Sequence, residues 1–207
     1  LGEVKLGFLA RGMNGIYIKL SVSSSSIEMA KDMIVPIEEK VKNKVGEYVY
    51  AFDEETMESQ VIDLLRESNS TLGVCESLTG GMVMSRLIDI PGASDVISGG
   101  MVTYKEEIKR DVLGVHAQDV YSHDCAQQMA ENLRKKLKTT YVLSTTGVAG
   151  PNAENDHNAG EVYIGISSEK DLFSEEFLLG GDRQRVREYC TITALNTLRK
   201  HLLNQQK

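Results

Sequence analysis

Two short segments, with a serine and a lysine 32 positions apart, hold the residues best suited to chemistry. In "ESLTGG" (76–81) a serine, a threonine and two glycines follow an apolar run. A hydroxyl at a strand end makes Ser77 a candidate nucleophile. Glycines beside it let a ligand approach the backbone, where amides around Thr79, Gly80 and Gly81 would hold an oxyanion. The same spacing also suits a plainer role for Ser77 and Thr79 as helix caps. A serine nucleophile needs a base. Of the four histidines, His201 lies on a terminal helical stripe and His157 in a polar loop. His116 and His123 flank a helix start without a paired carboxylate pattern. Lys109, which closes "TYKEEIK" (103–109), is the other base. Burial or a nearby cation lowers a lysine pKa towards neutrality, and Ser–Lys pairs are a variant of the triad logic. Taken alone, Lys109 reads as a solvated lysine beside an ordinary Glu106–Arg110 pair at i,i+4 spacing.

Two further segments carry polar or glycine-rich residues to places where strands lead into helices: "STTGVAGP" (144–151) and "LGGDRQRVR" (179–187). In α/β sheets such places gather ligands. None is a GxxxxGK[ST] phosphate loop, so a nucleoside triphosphatase is not expected.

The elements that must position these residues follow from periodicity. Residues 1–52 read as a small α+β subdomain: strands in "VKLGFLA" and "GIYIKLSV", a capped helix over 23–45 that Pro36 should bend or divide, and a third strand in "EYVYAF". From 53 to 207 strand and helix alternate, as in an α/β domain with helices on both faces of a sheet. Strands are expected in "STLGVCES", "SGGMVTY", "TTYVLSTTG", "GEVYIGIS" and "LFSEEFLL", the last two as a hairpin around "SEKD". Helices are expected from about Thr79 to Ile90, over "KEEIKRDVLG", over 123–138 with Met129, Leu133 and Leu137 on one stripe, and after Gly181.

The chain has 207 residues, 41% of them hydrophobic and 26% charged, enough for a sizeable core. A net charge of -7 argues against nucleic acid or an anionic membrane as partner, while an anionic small molecule stays compatible with a locally positive pocket. Cys75, Cys125 and Cys190 are widely spaced, as reduced thiols of a cytoplasmic protein would be. No apolar run has the length of a membrane span. The start at Leu1, without an initiator methionine, predicts a piece of a longer protein.

Together "CESLTGG", "GGMVTYKEEIKRDVLGV", "TTGVAGP" and "GGDRQRVR" resemble, in order and spacing, the C-terminal domain of the CinA family, from about residue 56 to 203. That domain is similar to the stand-alone nicotinamide mononucleotide deamidases. The resemblance implies an amidohydrolase converting nicotinamide mononucleotide to the acid plus ammonia, in the recycling of pyridine nucleotides. Ser77 falls on the catalytic serine of the A-E-S-C-T-G-G block, and Lys109 on the lysine ending the G-x-V-T-Y-x-x-x-x-K block. Tyr104 matches that block's tyrosine, implying that it and Thr146 relay protons or orient the lysine. Thr79, Gly80 and Gly81 match the first block; Thr146, Gly147, Ala149, Gly150 and Pro151 match the T-G-I-A-G-P loop. Arg183 and Arg187 match the arginines of G-x-R-x-x-x-R, and one or both are expected to hold the substrate phosphate. No metal or cofactor is implied, since Asp156 and His157 alone make a weak metal pair. A homo-oligomer is expected. Residues 1–52 resemble the connector that, in longer relatives, follows a molybdopterin-binding-like domain.

The chain departs from the family at Cys75 and Leu78, both apolar enough to pack. It departs more at "GPNAENDHNAGEV" (150–162), where the family carries a Gly-Gly pair and then Lys-Pro-Val-Gly. That change bears on substrate affinity and leaves open a rival reading, a CinA-like binding or scaffold module. A second rival, an RNA-binding KH loop at "GMNG" (12–15), is disfavoured by its place between strands.

Overall fold

The computed structural model describes residues 3–10 and 12–206. They form two compact units, Leu1–Thr56 and Met57–Lys207.

In the first unit, β1 (Lys5–Ala10) and β2 (Ile16–Ser21) pair antiparallel around a 3₁₀ turn at Gly12–Asn14. Helix α1 (Ile27–Val45) starts where the Ser26 hydroxyl accepts from the Met29 amide. Pro36 lies inside this helix without dividing it. The expected third strand at "EYVYAF" does not form. Gly46–Tyr48 make a 3₁₀ turn, which uses up the segment's first half, and Tyr50 is tethered by its hydroxyl to the Asn14 carbonyl (2.5 Å) rather than by a ladder. No described side chain of this unit is fully buried.

The second unit carries the core. It contains α2 (Met57–Glu67), β3 (Leu72–Glu76), α3 (Met82–Ile88), β4 (Ile97–Val102), α4 (His123–Leu137), β5 (Tyr141–Gly147), β6 (Glu161–Ser167), β7 (Leu172–Leu178) and α5 (Arg183–Gln205). The five strands lie in the order β4-β3-β5-β6-β7. The first three are parallel, while β6 and β7 run antiparallel as a hairpin. The carboxyl ends of β4, β3 and β5 therefore open on one rim.

Side-chain alternation assigns the faces. Cys75 and Val142 join Met129 and Leu133 of α4 in one cluster, while Val162 of β6 joins Val186 and Cys190 of α5 in another. Helix α4 covers the first face; α3 and α5 cover the second, with α2 packed on both. The close seat of α4 needs Gly165, where a Cβ would lie 2.5 Å from the Ala126 carbonyl and from the Ser144 hydroxyl. All three cysteines are free and buried. No helix among the described residues is long and apolar enough to cross a membrane.

Candidate active site

Strand β3 is buried along its whole length, and Glu76 is its only charged residue. The turn that follows explains this. Ser77 stays on the ladder through its amide, which donates to the Thr145 carbonyl (3.0 Å). The chain then reverses through Gly80 and Gly81, whose φ angles of 61° and 96° lie in the region glycine tolerates best. The reversal points the start of α3 back at Glu76. Its carboxylate accepts from the amides of Gly81 (2.8 Å), Val83 (3.2 Å) and Met84 (2.9 Å). A buried acid thus replaces the side-chain cap that Gly81 lacks, where a negative charge also meets the positive end of the helix.

Neither Ser77 nor Thr79 caps the helix. The Thr79 hydroxyl bonds that of Thr145 (2.8 Å). Ser77 Oγ lies 2.9 Å from Lys109 Nζ. The lysine is only 2% exposed and donates to the Thr103 carbonyl (3.0 Å). It is carried on a π turn, Ile108–Val112, that closes through the Leu113 amide and the Ile108 carbonyl. The segment expected as a short regular helix is therefore wider, and widened turns recur at functional sites. Burial drives the Lys109 pKa down from its usual 10.5. The nearby Cys75 and Cys125 thiols are themselves pushed up by burial, to about 12 and about 11, so they stay neutral and supply no counter-charge at neutral pH. A neutral amine beside a hydroxyl is the arrangement that removes a serine proton.

Ser77 opens into a pocket of about 390 Å³, within the size range of small-molecule sites. Tyr104, Tyr121, Gly147, Gly150, Glu154 and Arg183 contribute to its wall. The Arg183 guanidinium donates to the Gly150 carbonyl and to the Tyr104 hydroxyl, both at 2.8 Å.

Several sequence expectations need correcting. Tyr104 bonds Arg183 rather than Lys109, whose second partner is the Thr103 carbonyl. Thr146 lies on the α4 face, where its buried hydroxyl donates to the Val120 carbonyl (2.7 Å); Thr145 is the threonine turned towards the serine loop. Arg187 is not among the residues of the pocket wall; it donates instead to the carbonyls of Leu78 (2.8 Å) and Thr79 (3.0 Å). The amides of Gly80 and Gly81 are occupied by the Ser77 carbonyl and the Glu76 carboxylate. Those of Leu78 and Thr79 make no hydrogen bond among the described residues. A peptide N–H points opposite to the carbonyl of its own plane, so the Arg187 contact with the Leu78 carbonyl also fixes the direction of the Thr79 amide.

Sequence reasoning missed the roles of Glu76, Arg187, Tyr121 and Glu154. It also missed that His157 bonds two carboxylates, Glu161 through Nδ1 and Asp119 through Nε2 (2.8 Å). Only Glu76 left a signal, as the one charge in an otherwise apolar buried run.

A mixed α/β sheet that seats a serine on a buried lysine at the rim of its parallel strands defines the class. The chain belongs to the CinA family: its C-terminal domain matches residues 54–202. A putative competence-damage inducible protein of Thermoanaerobacter pseudethanolicus is 38% identical over 178 residues, 83% of this chain and 43% of the relative. A CinA-like protein of Dictyoglomus thermophilum is 37% identical over 193 residues, 90% of this chain and 47% of the relative. The chain thus spans about half the length of these relatives. Among solved structures, a CinA superfamily protein of Klebsiella pneumoniae superposes with a TM-score of 0.69 at 24% identity, over 72% of this chain and 96% of that one. A competence/damage inducible protein of Agrobacterium tumefaciens gives 0.66 at 26%, over 74% and 99%.

Proposed function

We propose that residues 57–207 form an amidohydrolase that converts nicotinamide mononucleotide to nicotinate mononucleotide and ammonia. The observation carrying this reading is the 2.9 Å approach of Ser77 Oγ to a buried Lys109 that forms no ion pair among the described residues. The four sequence blocks shared with the deamidases supply the substrate.

Neutral Lys109 takes the Ser77 proton as Oγ bonds the amide carbon. The carbonyl electrons move onto oxygen, held by the Leu78 and Thr79 amides; one such donor is typically worth ~3 kcal/mol. Collapse breaks the carbon–nitrogen bond, and the lysine ammonium gives its proton to the departing ammonia. The ester on Ser77 is then attacked by water that hands a proton to Lys109; as the ester bond breaks the lysine returns that proton to Ser77 Oγ, releasing the acid and restoring the neutral amine. Arg183, exposed at the pocket wall, is the cation for the phosphate. No step uses a metal or cofactor.

The test is ammonia release from the mononucleotide. Ser77→Ala and Lys109→Met are expected to lower kcat by about 10³-fold or more. Because the amine must be neutral, the wild-type rate should rise with pH through a limb whose midpoint lies below 10.5, the direction that burial gives Lys109. Full activity in Ser77→Ala would sink the scheme. The alternative, a module that binds without turnover, draws on the departure at 152–159, part of which lines the pocket. It predicts binding without ammonia.

A further inference from the structure

The pocket wall carries a fixed charge of each sign. Arg183 supplies the positive one and Glu154 the negative one. None of the ion pairs among the described residues includes Glu154. The Tyr121 hydroxyl, also in the wall, lies beside it, and the Glu154 charge also reaches Lys109.

The backbone that carries the carboxylate is anchored. Glu154 and His157 exchange both backbone hydrogen bonds (3.0 and 2.9 Å), closing a tight loop. His157 in turn bridges Asp119 and Glu161, and the Tyr163 hydroxyl donates to Glu161 (2.8 Å). This staple fastens the loop to β6 and to the segment before α4.

A carboxylate in the wall weakens the binding of any wholly anionic ligand, so it suits one that also carries a cation. Resting on the proposed amidase reading, we infer that Glu154 and Tyr121 form a subsite for a cationic aromatic ring, which makes the pocket selective for the oxidised pyridinium nucleotide over its uncharged dihydropyridine form. Both forms carry the same carboxamide, ribose and phosphate, so Arg183 and Ser77 cannot separate them. The carboxylate and the electron-rich face of a tyrosine can. Hydrolysis turns the ring's neutral amide into a second carboxylate within the pocket, and repulsion from Glu154 then favours release.

The test measures equilibrium binding of oxidised and reduced nicotinamide mononucleotide by calorimetry on the full chain, with turnover followed separately. The oxidised form is expected to bind about tenfold more tightly. Glu154→Gln should bring the two affinities together, and Tyr121→Leu, which removes the aromatic face from the wall, should lose part of the preference. Equal binding by the wild type, no binding of either form, or an unchanged preference in Glu154→Gln overturns the inference. A preference that is present and Glu154-dependent, without ammonia release, upholds the subsite and removes the amidase reading instead.

Discussion

At the scale of single residues, two arginines one helical turn apart do different work. Arg183 stands in the pocket wall, while Arg187 grips the Leu78 and Thr79 carbonyls and so sets the Thr79 amide. Under the proposed mechanism, a loss at Arg183 is a loss of binding, and a loss at Arg187 is a loss of alignment where the oxyanion would form. Steady-state kinetics should therefore separate them. Arg183→Lys raises KM with kcat nearly kept, and Arg187→Lys lowers kcat by about tenfold or more with KM nearly kept, since a lysine cannot span two carbonyls as a guanidinium does. The reverse pattern would return the phosphate to Arg187.

At the scale of elements, the serine turn is held by the acid that precedes it. Helix α3 has seven residues, too few to be stable by itself, and two of its leading amides, with that of its cap residue Gly81, end on Glu76. Glu76→Gln keeps the shape but removes the charge and turns one acceptor into a donor facing donors. It should cost about 1–3 kcal/mol in urea unfolding and lower the turnover of Ser77, whose position depends on the same turn. Unchanged stability would mean that the cap is ornamental. None of this was legible from periodicity. Helices α4 and α5 and the β6–β7 hairpin could be read because each repeats its pattern over many residues. The reversal at Gly80–Gly81 repeats nothing, and its partner is known only once the chain has turned. The threonine pair shows the same limit. "TT" before Gly147 puts one hydroxyl on each face, and which of them meets Thr79 is decided by the register of β5 against β3. "EYVYAF" has strand composition, but no ladder forms there.

At the scale of the whole molecule, every buried apolar side chain among the described residues lies at Met57 or later. The sheet, both helical layers and all residues of the candidate site belong to that unit. Residues 57–206 alone are therefore expected to melt in one transition at the temperature of the full chain's main transition, and to keep the ammonia-releasing activity proposed above. A truncated chain that fails to fold would show that the first 56 residues contribute to the core.

The wide turn under Lys109 has a consequence for how such a molecule changes over time. A π turn accommodates one residue more than regular winding does, so dropping a single codon from 108–112 would let the backbone relax to an ordinary spiral. Each residue of such a spiral is rotated by about 100° from the last, enough to swing the amine out of reach of the hydroxyl. Sheet, cap and layers would survive. In this architecture chemistry is one small deletion away from silence, and a silent descendant would keep the same outline.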